Sequence, residues 1–379
     1  MTDHETFLYP FKNKRIGFLT NHSCLSDSGY PNSLAFKKNG FNLVRLFTPE
    51  HGLSAQGEDG KAQPNGIDPL TGVPMISLYG DKIKPSPLDL QDLDVVIMDL
   101  PNIGCRFYTY FWSLTLMVEA CAQSQIQVVF LDHLNLRSNN PRNCEGPILN
   151  EKLCSSFLGR WEMPLTHGFT YGELLQWFIH EKKISVSFEN IPSSQKNWNC
   201  QDHFIPVSPS MDERQTVLLY PMTCLFEGLN INYGRGTSFP FKVIGASWLN
   251  SIVLFENFNN QKFPGIQAFP YTYLPQWGPF QGIPCHGLFF HVTDANQFQP
   301  VKTGIWLINH IHSLYPDLLV PAAYPSTINP TGDNHLDYLL GIPNAFDKIC
   351  QTNPENLSRL QEMDKVSEWV SQVNSFLKK

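Results

Sequence analysis

The chain has 379 residues, of which 42% are hydrophobic and only 16% charged, a balance that supports packed cores and excludes a disordered chain. Its net charge of −7 lacks the basic footprint that nucleic acids or an anionic membrane surface require. No run approaches the ~18 apolar residues of a bilayer span.

At roughly 150 residues per domain, this length predicts two domains. Nine cysteines follow no CxxC or metal-type spacing, which points to reduced, buried thiols. Residues 1–10 are polar and carry no apolar signal-peptide core. The expected location is therefore cytoplasmic, or periplasmic or secreted for a chain trimmed at its start. Aromatic residues are abundant, with 27 Phe, 13 Tyr and 8 Trp. Most of them belong in cores, and some are expected to line a groove for a sugar ring.

In chain order, residues 15–20 predict a first strand ending at Asn21-His22. A short helix at 31–39 and a second strand at 43–47 follow. That strand runs into Thr48-Pro49-Glu50-His51-Gly52, a loop with a carboxylate and an imidazole at its mouth. Residues 74–79 form a third extended piece. The continuous apolar run 94–99 has the signature of a strand buried on both faces. Residues 110–123 predict an amphipathic helix, and 126–131 another buried strand ending at Asp132-His133. Alternation of strands and helices over the first ~135 residues predicts a parallel sheet. Its strand ends (Asn21-His22, Glu50-His51, Asp99, Asp132-His133) then share one edge, where open α/β sheets bind ligands. No Gly-x-Gly turn follows strand one and no Walker A sequence occurs, so the substrate is not a nucleotide.

From 139 to 209 the chain is loop-rich, with one helix opened by a Thr170–Glu173 capping box. Past residue 220 the pattern changes to short extended pieces at 243–245 and 287–292, with helices at 301–315 and 355–377. The fold class is α/β: a parallel-sheet N-terminal domain over 1–210 and a smaller α+β domain over 211–379, with a join around 205–220.

Two acids flanking a labile bond are the minimum equipment for glycoside hydrolysis. Glu50, Asp99, Asp132, Glu145 and Glu227 sit in glycine- or proline-flanked loops and are the candidates. His22, Glu50, His51, Asp99, Asp132 and His133 are also metal-ligand types, but no HExxH or helical His pair occurs, and no metal or other cofactor is expected. No Gly-x-Ser-x-Gly elbow exists for acyl transfer. In the polar segment 227–237, glycines flank Arg235, a residue suited to bidentate contact with a carboxylate.

These motifs together resemble the NamZ-type exo-β-N-acetylmuramidases, long catalogued as a domain of unknown function. The resemblance rests on residues 48–52, on 68–74 with 77–80, and on 104–110 (GCRFYTY). Glu145-Gly146-Pro147, 164–168 with 170–173, and 227–241 extend it. It implies a Rossmann-like N-terminal domain, a smaller C-terminal domain and a cleft between them. It also implies release of N-acetylmuramic acid from the non-reducing end of peptidoglycan fragments, so the expected partner is a small carbohydrate. The lactyl carboxylate of that sugar is a natural partner for Arg235 or Arg106.

Glu50 is expected as general acid, with its partner open among Asp99, Glu145 and Glu227. Asn21, His22, His51, Arg106, Tyr108, Asp132, His167, Asn230, Arg235 and Thr237 are expected to contact substrate. Three departures stand out: Asn102 and Tyr233 replace acids usual in the family, and Asp132-His133-Leu134-Asn135 replaces Asp-Arg-Pro-Asn. Loss of those acids gives the competing expectation, a non-catalytic muropeptide- or sugar-binding protein.

Overall fold

The computed structural model describes residues 7–192 and 204–378. The remaining parts of the predicted N-terminal segment and loop-rich stretch lie outside the described residues.

Seven strands form the first sheet: β1 (Ile16–Thr20), β2 (Leu43–Thr48), β3 (Gly66–Ile67), β4 (Pro74–Ser77), β5 (Val95–Asp99), β6 (Gln127–Leu131) and β7 (Phe188–Ile191). Their order is β3-β4-β2-β1-β5-β6-β7. Every pairing is parallel except that of β3 with β4. Without β3, the parallel strands read 3-2-1-4-5-6 in chain order, the doubly wound arrangement. β1 and β5 are buried at every position, which is why they read as uninterrupted apolar runs.

α1 (Asn32–Lys38) follows β1, and α2 (Tyr110–Gln123) links β5 to β6. The sequence suggested an amphipathic α2, but 11 of its 14 residues are buried. A helix apolar on nearly every side is a core helix, packed against more than one layer. α3 (Tyr171–Glu181) opens with the expected capping box: Thr170 accepts from the Glu173 N–H while Glu173 accepts from the Thr170 N–H. β7 was not anticipated in the loop-rich stretch, nor was α4 (Arg214–Thr223), which carries Pro221 inside it.

The second sheet is antiparallel, in the order β8-β10-β9, from β8 (Val243–Ala246), β9 (Ile266–Tyr273) and β10 (Cys285–Val292). α4 and α5 (Ser251–Gln261) pack against it, α6 (Pro300–Leu314) packs on α4, and α7 (His335–Leu340) follows. The predicted terminal helix is two elements. A 3-10 segment, Pro354–Gln361, ends at Glu362 in a left-handed conformation, and α8 (Met363–Leu377) continues from there. α8 returns to α3 of the first layer, where Trp369 meets Trp161 and Phe169, and Phe376 meets Trp177. No helix among the described residues is long and apolar enough to cross a membrane.

Candidate active site

A cavity of about 1100 Å³ lies between the two sheets' domains, slightly above the ~300–1,000 Å³ usual for small-molecule sites. The first domain contributes the loop after β2 together with Tyr79, Tyr108 and Thr109. The second contributes Glu227, Tyr233, Arg235, Trp277, Tyr324 and His335.

Glu50 stands just past the end of β2. His51 (φ 67°) and Gly52 (φ 69°) both turn left-handed there, folding the chain back so that the carboxyl faces the cavity. Only a few per cent of non-glycine residues adopt that conformation, with Asn, Asp and His enriched among them, and such positions cluster at functional sites. His51 Nδ1 bonds the Gly57 carbonyl at 2.8 Å, which closes the turn.

Glu50 is buried. Its Oε1 accepts the Gly60 N–H at 3.0 Å and its Oε2 accepts the Thr109 hydroxyl at 2.7 Å. Burial pushes its pKa above the ordinary glutamate value. Nearby His51 opposes the rise and the negative Asp59 adds to it. Burial thus favours the protonated carboxyl more than it would in an exposed glutamate.

Asp59 was not singled out from sequence. Its Oδ2 accepts from the Tyr324 hydroxyl and lies 2.9 Å from Arg235 Nη2, while its Oδ1 is 4.0 Å from His51 Nε2. Burial works against its charge, but Arg235, His51 and Tyr324 outweigh that and hold its pKa below the ordinary value. The same Arg235 nitrogen reaches Glu227 Oε1 at 3.2 Å, and Glu227 Oε2 pairs with His335 Nε2 at 2.9 Å. Arg235 Nη1 donates to Ser210, and the guanidinium lies over the rings of Phe241 and Tyr233 at 5.1 and 5.7 Å. Its terminal nitrogens are thus engaged by the protein's own groups. The flanking glycines serve the backbone: Gly234 and Gly236 have φ of 89° and 82°, and a Cβ on Gly236 would sit 2.1 Å from the Trp277 carbonyl oxygen.

Of the residues expected from sequence, Glu50, His51, Tyr108, Glu227, Arg235 and Thr237 line this cavity. Thr237 also donates to the Gly234 carbonyl, closing the Arg235 turn. The structure places the others elsewhere, each in a local task. Asp99 is fully buried at the end of β5, where Asn32 and His133 bond its carboxylate and Cys24 bonds its carbonyl. That cluster joins the ends of β5 and β6 to the segment after β1. Glu145 accepts the Val301 N–H at 2.8 Å, at the start of α6.

Asp132 accepts from Thr170 and the Gly172 N–H, and so anchors the start of α3. Arg106 is buried and donates to the carbonyls of Pro147, Met163 and Leu339. Burial lowers its pKa to about 10. His167 bonds the Phe169 carbonyl, and burial first, then Arg137, lowers its pKa to about 3. Asn21 binds Ser23 and Tyr110, His22 faces Asp68 at 3.9 Å, and Asn230 ties residues 318–320.

The departures divide in the same way. Asn102 is buried outside the cavity, donating to the Phe169 carbonyl and accepting from the Gly104 N–H. Tyr233 lines the cavity.

Among the described residues, two groups have the ligand types and spacing of a metal site: Cys24–Asp99–His133 and Glu50–His51–Asp59, each with ligand atoms within 4.8 Å of one another. In both, each carboxylate has at least one oxygen bonded by a protein donor.

Thr109 lay inside a motif noted from sequence, and Asp59 lay between Gly57 and Gly60 with only that spacing as a signal. Tyr324 and His335 fall in a stretch with no local signal at all.

Residues 16–215 match the family model for exo-beta-N-acetylmuramidase NamZ, N-terminal, and residues 218–378 match its C-terminal counterpart. The peptidoglycan beta-N-acetylmuramidase NamZ of Bacillus subtilis (strain 168) is 36% identical over 314 residues, covering 81% of this chain and 75% of that protein. Two crystal structures of DUF1343 family proteins from Bacteroides fragilis NCTC 9343 are also similar. One has a TM-score of 0.83 at 23% identity and the other 0.71 at 25%. Each alignment covers 98% of this chain and 96% of the other.

Proposed function

Because this chain belongs to the NamZ exo-β-N-acetylmuramidase family, we propose that its cavity hydrolyses the glycosidic bond of a terminal N-acetylmuramic acid in peptidoglycan fragments. Glu50 is the proton donor in this reading. The observation that carries it is the buried Glu50 carboxyl, facing a cavity of about 1100 Å³ with its pKa raised by burial.

The chemistry follows from that placement. A sugar oxygen is a poor leaving group until it is protonated, and a carboxylic acid with a raised pKa supplies the proton near neutral pH. Thr109 and the Gly60 N–H donate to the carboxyl oxygens and fix its direction. Tyr79, Tyr108, Tyr220, Tyr233 and Trp277 give the cavity aromatic faces for sugar rings, and Asp59, Glu227 and Arg235 give it fixed polar groups.

We place the reaction in the cytoplasm, on soluble fragments. The eight cysteines among the described residues are all free thiols, which suits a reducing compartment.

The test is an assay of Glu50→Gln on a chromogenic N-acetyl-β-muramide and on the disaccharide MurNAc-GlcNAc. A fall in kcat of about 10²–10⁴ on the disaccharide is expected. Turnover of the disaccharide within twofold of wild type would remove Glu50 from the mechanism. Wild-type protein that binds the disaccharide without releasing free N-acetylmuramic acid would return the binding-protein reading to first place.

A further inference from the structure

We propose that Asp59 is the nucleophile of this site and that hydrolysis proceeds with retention through a covalent Asp59-linked sugar. This rests on the muramidase reading above.

Three observations converge on it. First, Asp59 and Glu50 present carboxylate oxygens within 4.8 Å of each other in one cavity. Paired acids ~5–5.5 Å apart act by double displacement, whereas inverting pairs stand ~6.5–9.5 Å apart to admit a water. Second, the two oxygens of Asp59 are unequal. Oδ2 is held by Arg235 and Tyr324, while among the described residues no hydrogen bond reaches Oδ1, which is 4.0 Å from His51 Nε2. One anchored oxygen and one unclaimed oxygen on a partly exposed side chain is what in-line attack at a sugar carbon needs. Third, the surroundings push the two acids apart, Glu50 toward its protonated form and Asp59 toward its charged form, which separates proton donor from nucleophile.

Glu227 also lines the cavity, but both its oxygens are engaged, by Arg235 and His335.

In the first step Glu50 gives its proton to the glycosidic oxygen as the C1–O bond breaks, and Asp59 Oδ1 forms a bond to C1. The aglycone leaves as a neutral alcohol. In the second step Glu50, now a carboxylate, takes a proton from water as that water's oxygen bonds C1. The C1–Oδ1 bond breaks and Asp59 regains its charge. One water is consumed, and both carboxyl groups return to their starting states.

The experiment compares wild type, Asp59→Ala and Glu50→Ala on 2,4-dinitrophenyl N-acetyl-β-muramide, with and without sodium azide. Product configuration is read by NMR. Wild type is expected to release the β-anomer first. Asp59→Ala is expected to lose at least about 10³-fold in kcat and, with azide, to form the α-glycosyl azide. Glu50→Ala with azide should form the β-glycosyl azide instead.

An α-anomer released first by wild type overturns the proposal, as does the lack of any azide adduct from folded Asp59→Ala. Strong inhibition by a muramyl thiazoline, with no adduct from Asp59→Ala, assigns the attack to the substrate's own acetamide and also overturns it. If Asp59→Ala does not fold, wild type is treated with a 5-fluoro-muramyl fluoride and digested. A sugar adduct on the Asp59 peptide supports the proposal, and an unlabelled peptide overturns it. Wild type that releases no sugar at all refutes the muramidase reading, not this assignment alone.

Discussion

Glu145 Oε1 accepts the Val301 N–H at 2.8 Å, so one carboxyl from the loop after β6 ties the first domain to the opening turn of α6. Burial raises the Glu145 pKa to about 7, against the pull of that N–H and of Arg137. Among the described residues, its second oxygen is buried without a hydrogen-bond partner. A folded-state pKa above the unfolded one means this group contributes stability below its unfolded pKa, near 4.5. That contribution is lost as pH rises toward about 7. Denaturant unfolding of wild type is expected to weaken over this window. In Glu145→Gln, which keeps an acceptor and carries no charge, the weakening is expected to shrink while kcat stays within twofold. A kcat loss in Glu145→Gln comparable to that of Glu50→Gln would return Glu145 to the catalytic candidates.

Arg235 is a buried cation bracketed by Asp59 and Glu227. Removing one member of such a set leaves the others unpaired, at a cost of about 3–5 kcal/mol. Arg235→Ala is therefore expected to lose much of its thermal stability and its turnover together. Because both terminal nitrogens are already engaged, the residual activity should keep the wild-type preference for muramyl over glucosaminyl substrates. A preference that collapses while stability is kept would restore Arg235 as the receptor for the lactyl carboxylate.

Asn102→Asp, which reinstates an acid usual in the family, is expected to harm rather than help. The Asn102 amide donates to the Phe169 carbonyl from a fully buried position, and a carboxylate there would face an oxygen with no proton to offer. Leaving a buried polar group unsatisfied costs about 1–3 kcal/mol, and more when it is charged. The check is a lower melting temperature with no gain in kcat/KM; higher activity would mean that position 102 reaches the substrate.

The parallel sheet was readable because its strands are buried on both faces and so appear as apolar runs, β5 above all. The Thr170 capping box was readable because its logic is local. β7 escaped because it is short, with only Ile191 of its four residues buried, and Pro221 disguised α4.

At the site, Glu50 could be found because a strand aims it. Asp59 could not, because its importance comes from Arg235 and Tyr324, which are remote in sequence and supplied by the other domain. Flanking glycine was an ambiguous guide. Gly146 beside Glu145 has φ 87°, and a Cβ there would sit 2.7 Å from Leu165 Cβ, so it marks close packing rather than chemistry.

The pH profile offers a direct check on Glu50. Its folded pKa lies above the ordinary glutamate value because burial and the negative Asp59 outweigh the neighbouring His51. A general acid works only while protonated, so kcat/KM of wild type should fall on the alkaline side as Glu50 loses its proton. Protonation of Asp59, whose pKa is held below the ordinary aspartate value by Arg235 and its neighbours, should shape the acid side. In Glu50→Gln the alkaline fall should vanish. The activity lost should also depend on the leaving group: about 10²–10⁴ for a sugar, which needs the proton, and much less for 2,4-dinitrophenolate, which leaves without it. An alkaline limb that persists in Glu50→Gln, or equal losses on the two substrates, would show that the proton comes from another group.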